Sequence, residues 1–185
     1  MRLGALVLLL LLPGACGYST RSLLPGGAQR VAVDVFGNEE YYRGLGIQLS
    51  RELSRELNQR SHYRISRRPE AELLLSGRIV KVKRPTLVEG DDNLVSEQAV
   101  VVTAQVELRR LADDVVISGF QIANRAEFVV ERGETLESAF DEALRDLAED
   151  IVNELERQSY LEDLERVRAE EAAAGAPTES APEQP

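Results

Sequence analysis

The sequence predicts an α+β fold, a two-layer sandwich in which two helices pack on one face of a mainly antiparallel sheet of four or five strands. Three patterns carry that reading. Leu45, Leu49, Leu53 and Leu57 recur every fourth residue, while Arg51, Glu52, Arg55 and Glu56 fall elsewhere, which makes one leucine ridge on an amphipathic helix. Val100, Val102, Ala104, Val106 and Leu108 alternate with other residues, the period of a strand with one buried face. Leu136, Phe140, Leu144, Leu147, Ile151 and Leu155 mark a second helix whose remaining face is densely acidic. All three are satisfied together when both helices cover the same side of the sheet.

The chain begins with Arg2, the apolar run Leu3 to Leu12, and then Pro13, Gly14, Ala15 and Cys16. A bilayer core needs about 20 apolar residues in a helix, so a run of this length reads as the hydrophobic region of a signal peptide over residues 1–15. Cys16 is the only cysteine, which excludes an internal disulfide. The small residues before it suit a peptidase pocket, and the pattern resembles the bacterial lipobox. That resemblance implies a diacylglyceryl group on the Cys16 thiol and a new N-terminus there, with Gly17 next in line favouring the outer membrane. The plain alternative is a secreted protein with a free Cys16.

Hydrophobic residues make up 43% of the chain and charged residues 29%, a soluble globular balance that excludes a polytopic membrane protein. The lipid is then the expected membrane anchor, and it must carry two or more acyl chains, since one holds only marginally. A net charge of −10 argues against a nucleic-acid partner, because phosphate neutralisation needs a basic surface.

Residues 16–30 read as a lipidated tether containing Pro25, Gly26 and Gly27. The domain proper is expected over 31–168. Val31, Val33 and Val35 alternate as a first strand closed by Gly37 and Asn38, and the leucine-ridge helix follows from Tyr41 to Asn58. A short strand near Tyr63 to Ser66, a break at Pro69 and a strand from Leu73 to Arg84 come next. Pro85 to Asn93 reads as a loop, and Gln98 to Val130 as one long hairpin turning at Ala112, Asp113 and Asp114, with a bulge at Gly119. Thr135 is the expected N-cap of the last helix, which continues toward Val167 with a break offered at Ser159. The composition of residues 169–185 predicts a disordered acidic tail.

The catalytic inventory is thin. His62 is the single histidine, and no phosphate-binding glycine loop or HExxH pattern occurs, so catalytic triads, zinc sites and nucleotide sites lack their ligands. Asp91, Asp92 and Asn93 do not follow calcium-loop spacing and read as a solvated loop. No enzyme activity and no cofactor are expected. The informative feature is charge segregation: between Arg60 and Arg84 eight basic residues stand against Glu70 and Glu72, and both lysines of the protein, Lys81 and Lys83, lie there. Arg78, Lys81, Lys83 and Arg84 form a candidate basic strip for an anionic lipid. Its plain alternative is a charged edge strand that prevents aggregation.

Cys16, Gly17 and Tyr18, the stretch Val31 to Phe36 with Asn38, the helix end Arg51, Glu52 and Leu53 to Arg60, the segment from Ala71 to Ile79 and the closing helix together resemble the LptE family of lipopolysaccharide-assembly lipoproteins. The resemblance implies an outer-membrane protein, lipid-anchored on the periplasmic face, that helps to assemble and plug the β-barrel LptD and binds lipopolysaccharide on its way to the outer leaflet. The Val-Ala-Val strand, the helix and the Leu-Ser-Gly-Arg strand are also similar to lipoprotein activators of peptidoglycan synthases and to secretion-system lipoproteins. That second likeness implies a protein-interaction module without a lipid ligand.

Overall fold

The computed structural model describes residues 30–59, 64–89 and 95–174. The expectations for Cys16, the signal peptide, the tether, His62, the Asp91 to Asn93 loop and residues 175–185 lie outside these. In chain order the elements are β1 (Arg30–Val33), β2 (Gly37–Asn38), α1 (Leu45–Gln59), β3 (Arg64–Ile65), β4 (Leu73–Lys83), β5 (Thr86–Glu89), β6 (Val95–Arg110), β7 (Val115–Val129) and α2 (Leu136–Ala174). Short 3-10 turns at Arg68–Glu70 and Val130–Arg132 precede β4 and α2.

The α+β class and the two helices hold, but the sheet is mixed, and among the described residues it has seven strands where four or five were expected. β3 runs parallel to β1, and β1 and β2 both run parallel to β4. β6 is antiparallel to β4, β5 and β7. The extra strands come from interruptions within longer lanes. β1 and β2 lie end to end along β4, with Val33 opposite Leu75 and Gly37 opposite Arg78. β4 and β5 lie end to end along β6, with Lys83 opposite Val101 and Thr86 opposite Gln98. The stretch after Pro85 is therefore strand where a loop was expected: Pro85 cannot donate to the ladder, yet its carbonyl accepts the Ala99 N–H at 3.0 Å and holds the lane in register. Gly37 and Asn38 likewise extend the sheet instead of closing the first strand. The parallel pairs follow from α1, since a helix between β1 and β3 is the crossover that parallel neighbours need.

The leucine ridge of α1 is buried at Leu45, Leu49, Leu53 and Leu57. It joins Leu73, Leu75 and Ile79 of β4, the even-numbered residues Val100 to Leu108 of β6, and Ala139 through Leu155 of α2 in a single core. Both helices thus cover one face, as expected. Phe36 fills the gap between β1 and β2, and its ring occupies the place where a side chain at residue 77 would stand, since a Cβ on Gly77 would lie 2.6 Å from Phe36 Cε1. Its N–H donates to Ser50 Oγ at 2.8 Å, and that hydroxyl donates in turn to the Gly46 carbonyl at 2.9 Å.

Thr135 caps α2 as expected: its Oγ1 accepts the Ser138 N–H at 3.1 Å, and Ser138 Oγ accepts the Thr135 N–H at 3.0 Å. That reciprocal pair is a capping box with serine in the acidic position. The helix passes Ser159 without a break and runs six residues beyond Arg168. Gly119 does not mark the bulge in β7. It pairs regularly with Glu107, and the irregularity falls between Ser118 and Val116, where Ile117 has no opposite residue.

Candidate functional site

A second bulge lies in β4 and organises the basic strip. Simple alternation from the buried Ile79 would turn Lys81 and Lys83 into the core. The ladder instead shifts between Ile79, which pairs with Ala104, and Lys81, which pairs with Thr103, so Val80 is the extra residue. Beyond it Val82 pairs with Val102 on the helix-covered face, and Lys81 and Lys83 fall opposite Thr103 and Val101 on the other face. Arg78, opposite Gln105, already stands on that face. One inserted residue thereby keeps two ammonium groups out of an apolar core where their burial would be very costly.

The strip that results differs from the four-residue one in a specific way. Arg78, Lys81 and Lys83 share the face that neither helix covers. Arg84 points to the helix side, where its guanidinium donates to Tyr42 Oη at 3.3 Å and to Gln98 Oε1 at 3.2 Å, and Tyr42 packs on Phe140 with ring centroids 4.9 Å apart. Arg78 is engaged by Glu39 Oε1 at 2.9 Å and by Gln105 Oε1 at 2.7 Å. Lys81 and Lys83 are exposed and have no ion pair or hydrogen bond among the described residues.

The hairpin register adds one residue that the strip along β4 missed. Lys83 sits opposite Val101, and Val101 sits opposite Arg125 of β7, so Arg125 stands in the same row two strands away, about 10 Å across the sheet. Its partner is Glu127 at 2.7 Å. The next row holds Lys81, Thr103 and Ala123, and the row after it Arg78, Gln105 and Gln121. Counting back from the Arg110–Val115 pair puts Asn124 opposite Val101, and the unpaired Ile117 moves Arg125 into that place. A shallow hollow of about 190 Å³ adjoins the strip, lined by Ser76, Gly77, Arg78, Gln105 and Glu107. The face therefore offers fixed cations beside small and apolar side chains, an arrangement that suits a phosphorylated ligand with an apolar part.

Among the described residues no group of three or more His, Cys, Asp or Glu side chains is placed to hold a metal ion. No described helix is long and apolar enough to cross a membrane.

This is a two-helix, mixed-sheet α+β domain with an uncovered basic face. The model of the lipopolysaccharide-assembly family LptE matches residues 28–159, so the chain belongs to the LptE family. Similar solved structures include a protein from Xanthomonas campestris at 13% identity and TM-score 0.52, covering 76% of this chain and 91% of that one. Another is a protein from Chlamydia trachomatis at 14% identity and TM-score 0.50, covering 71% and 97%. A candidate lipoprotein from Caulobacter crescentus matches at 9% identity and TM-score 0.50, covering 70% and 90%. At these identities the likeness is one of fold. No curated protein matches the sequence significantly.

Proposed function

We propose that this protein is a non-enzymatic outer-membrane lipoprotein, anchored through Cys16 on the periplasmic face, that helps to assemble and plug the LptD β-barrel and binds lipopolysaccharide during its insertion. Membership of the LptE family supports the assignment to lipopolysaccharide assembly. The observation that carries the ligand part is the Val80 bulge, which aligns Arg78, Lys81 and Lys83 on the uncovered face. Two lysines that have no side-chain partner among the described residues supply charge-assisted hydrogen bonds to lipid phosphates, and Val101 and Ala123 beside them supply apolar surface. Lys81 and Lys83 are the residues on which the affinity should depend most, because Arg78 is already partnered by Glu39.

The test is lipopolysaccharide binding by full-length protein at low and high salt. Replacing Lys81 and Lys83 by glutamine should weaken binding at least tenfold at low salt and flatten its salt dependence, with the thermal midpoint unchanged. Arg84→Gln, on the other face, is the control and should leave binding within twofold. Equal binding by the folded double variant would reduce the strip to a charged surface. Co-purification of a large β-barrel with the tagged protein tests the partner separately.

A further inference from the structure

We propose that the free edge of β7 is a strand-addition site for an extended, basic peptide segment of a partner protein, a reading that goes beyond the lipid-binding one and does not depend on it. β7 is fifteen residues long and among the described strands pairs only with β6. Which of its backbone groups face outward follows from the hydrogen bonds around it. The Val129 N–H donates to Glu134 Oε2 at 2.7 Å, so it points away from β6. In an antiparallel ladder outward-pointing residues alternate, and the pairing from Glu97–Val129 to Leu108–Ser118 is unbroken. Glu127, Arg125, Ala123, Gln121 and Gly119 therefore also turn their N–H and C=O groups to the free edge. The far side of β6 gives the same phase: the Ala99 N–H goes to Pro85 O and the Leu111 N–H to Glu72 O, both at 3.0 Å, so its odd-numbered residues bond away from β7.

Five consecutive outward positions span about 27 Å of strand, and among the described residues no backbone or side chain bonds to them. Proteins commonly blunt such an edge with lysine, proline or a covering segment. β7 contains neither lysine nor proline, and its single Arg125 is paired with Glu127. The contrast within this molecule is instructive, since the open end of the β4 edge is closed by Glu40, whose Oε1 accepts the Val82 N–H at 3.0 Å. On the uncovered face the edge carries the small residues Gly119 and Ala123, which leave the backbone accessible.

The charge beside the edge selects the occupant. Gln48 of α1 bonds Asp141 on one flank of α2, and the opposite flank overhangs β7, where Asp150 Oδ2 accepts from Asn124 Nδ2 at 2.7 Å. Asp146, Asp150 and Glu154 follow one another at i, i+4 spacing along that flank, with Glu154 held by Arg157. From Asp141 to Glu156 seven acidic residues stand against the single Arg145. A strand laid on the β7 edge would direct every second side chain toward this flank. Basic side chains fit there. A second copy of this chain would bring two acidic flanks together, which like-charge repulsion disfavours.

The probe is an acetylated nine-residue peptide of alternating valine and lysine, added to the full chain in detergent and followed by amide hydrogen exchange and by affinity. Exchange at Gln121, Ala123 and Arg125 should slow at least tenfold, with no change at Val100 and Val102. The same peptide with glutamate for lysine should bind at least tenfold more weakly. Ala123→Pro removes one outward N–H while sparing the bonds to β6, and should weaken the lysine peptide at least tenfold. If that variant fails to fold, a lysine peptide N-methylated at alternate residues on one edge replaces it and should bind no better than the glutamate peptide. Equal binding of the methylated and unmethylated peptides, or unchanged exchange at the three amides, overturns the proposal. So does self-association of the free protein that the lysine peptide cannot compete away, which would assign the edge to a second copy.

Discussion

Ser50 joins α1 to the link between β1 and β2 with one hydroxyl. It is buried on α1, accepts the Phe36 N–H at 2.8 Å and donates to Gly46 O at 2.9 Å, so it satisfies the backbone where β1 gives way to β2. Ser50→Ala leaves a buried N–H without a partner and should cost about 1–3 kcal/mol in denaturant unfolding. A cost near zero would mean that water replaces the hydroxyl. Gly77→Ala should be at least as damaging, because its Cβ would meet Gln105 O at 2.3 Å as well as the Phe36 ring, and overpacking of this kind typically costs about 1–3 kcal/mol. Neither role was visible in the sequence, where Ser50 lies between leucines of the ridge and Gly77 inside a strand. Both depend on where Phe36 falls, and that is a tertiary fact.

Glu154 gives the molecule a pH dependence. Its carboxyl is held below the usual carboxylate range, chiefly by the hydrogen bond from Arg157, with burial opposing and a further bond from Gln158 assisting. A depressed folded value contributes stability that is present above the unfolded value, about 4.3, and is lost as pH falls through the folded one. The stability difference between wild type and Glu154→Gln should therefore be steady near neutral pH and shrink progressively below about pH 4.3. A difference that grew on acidification would reverse the assignment.

At the scale of elements, the bulge in β4 determines what the sheet presents. With Val80 removed, Ile79 would still face Ala104 and Lys81 would still face Thr103, now in an unbroken ladder. Deletion of Val80 should accordingly cost about 1 kcal/mol, keep Lys81 and Lys83 on the uncovered face and preserve salt-sensitive lipid binding. Loss of folding on deletion would show that the kink itself is required. The helices were legible because their stripes are long: the leucine ridge and the series from Leu136 to Leu155 each repeat over several turns. The β6–β7 hairpin was legible because its alternation is uninterrupted on β6. The strand count and the mixed pairing were not. Two-residue strands such as Gly37–Asn38 carry no period, and whether β1 lies parallel to β4 depends on a crossover that composition does not encode. The basic segment could be read as a charge excess, but alternation alone groups Arg78 with Arg84, and the bulge exchanges Arg84 for the two lysines.

For the whole molecule, the first question is what holds it at a membrane. No described helix is long and apolar enough to cross one, and the proposed anchor is the lipid on Cys16. Cys16→Ser should leave an uncleaved or soluble protein, measured by fractionation after a high-salt wash. Retention of the cleaved form in the membrane fraction with the barrel partner absent would count against lipidation.

The length of α2 sets a second test, because a helix of thirty-nine residues extends about 58 Å and the core does not follow it that far. The buried series ends with Leu155 and Ser159. Beyond them Tyr160, Leu161 and Val167 are 58%, 45% and 39% exposed, so this overhang makes little contribution to the packed domain. Truncation after Arg168 should shift the thermal midpoint by no more than about 2 °C, as changes at exposed positions usually stay within about 0.5 kcal/mol. Truncation after Glu154 removes the fully buried Leu155 and also Gln158, the hydrogen-bond partner of Ser118 on β7. Emptying one such leucine site costs about 2–5 kcal/mol, which in a domain of this size lowers the midpoint by roughly 5–15 °C. The two truncations thus bracket where the folded unit ends. A large loss from the first would mean that the segment after Arg168 packs on the rest of the protein.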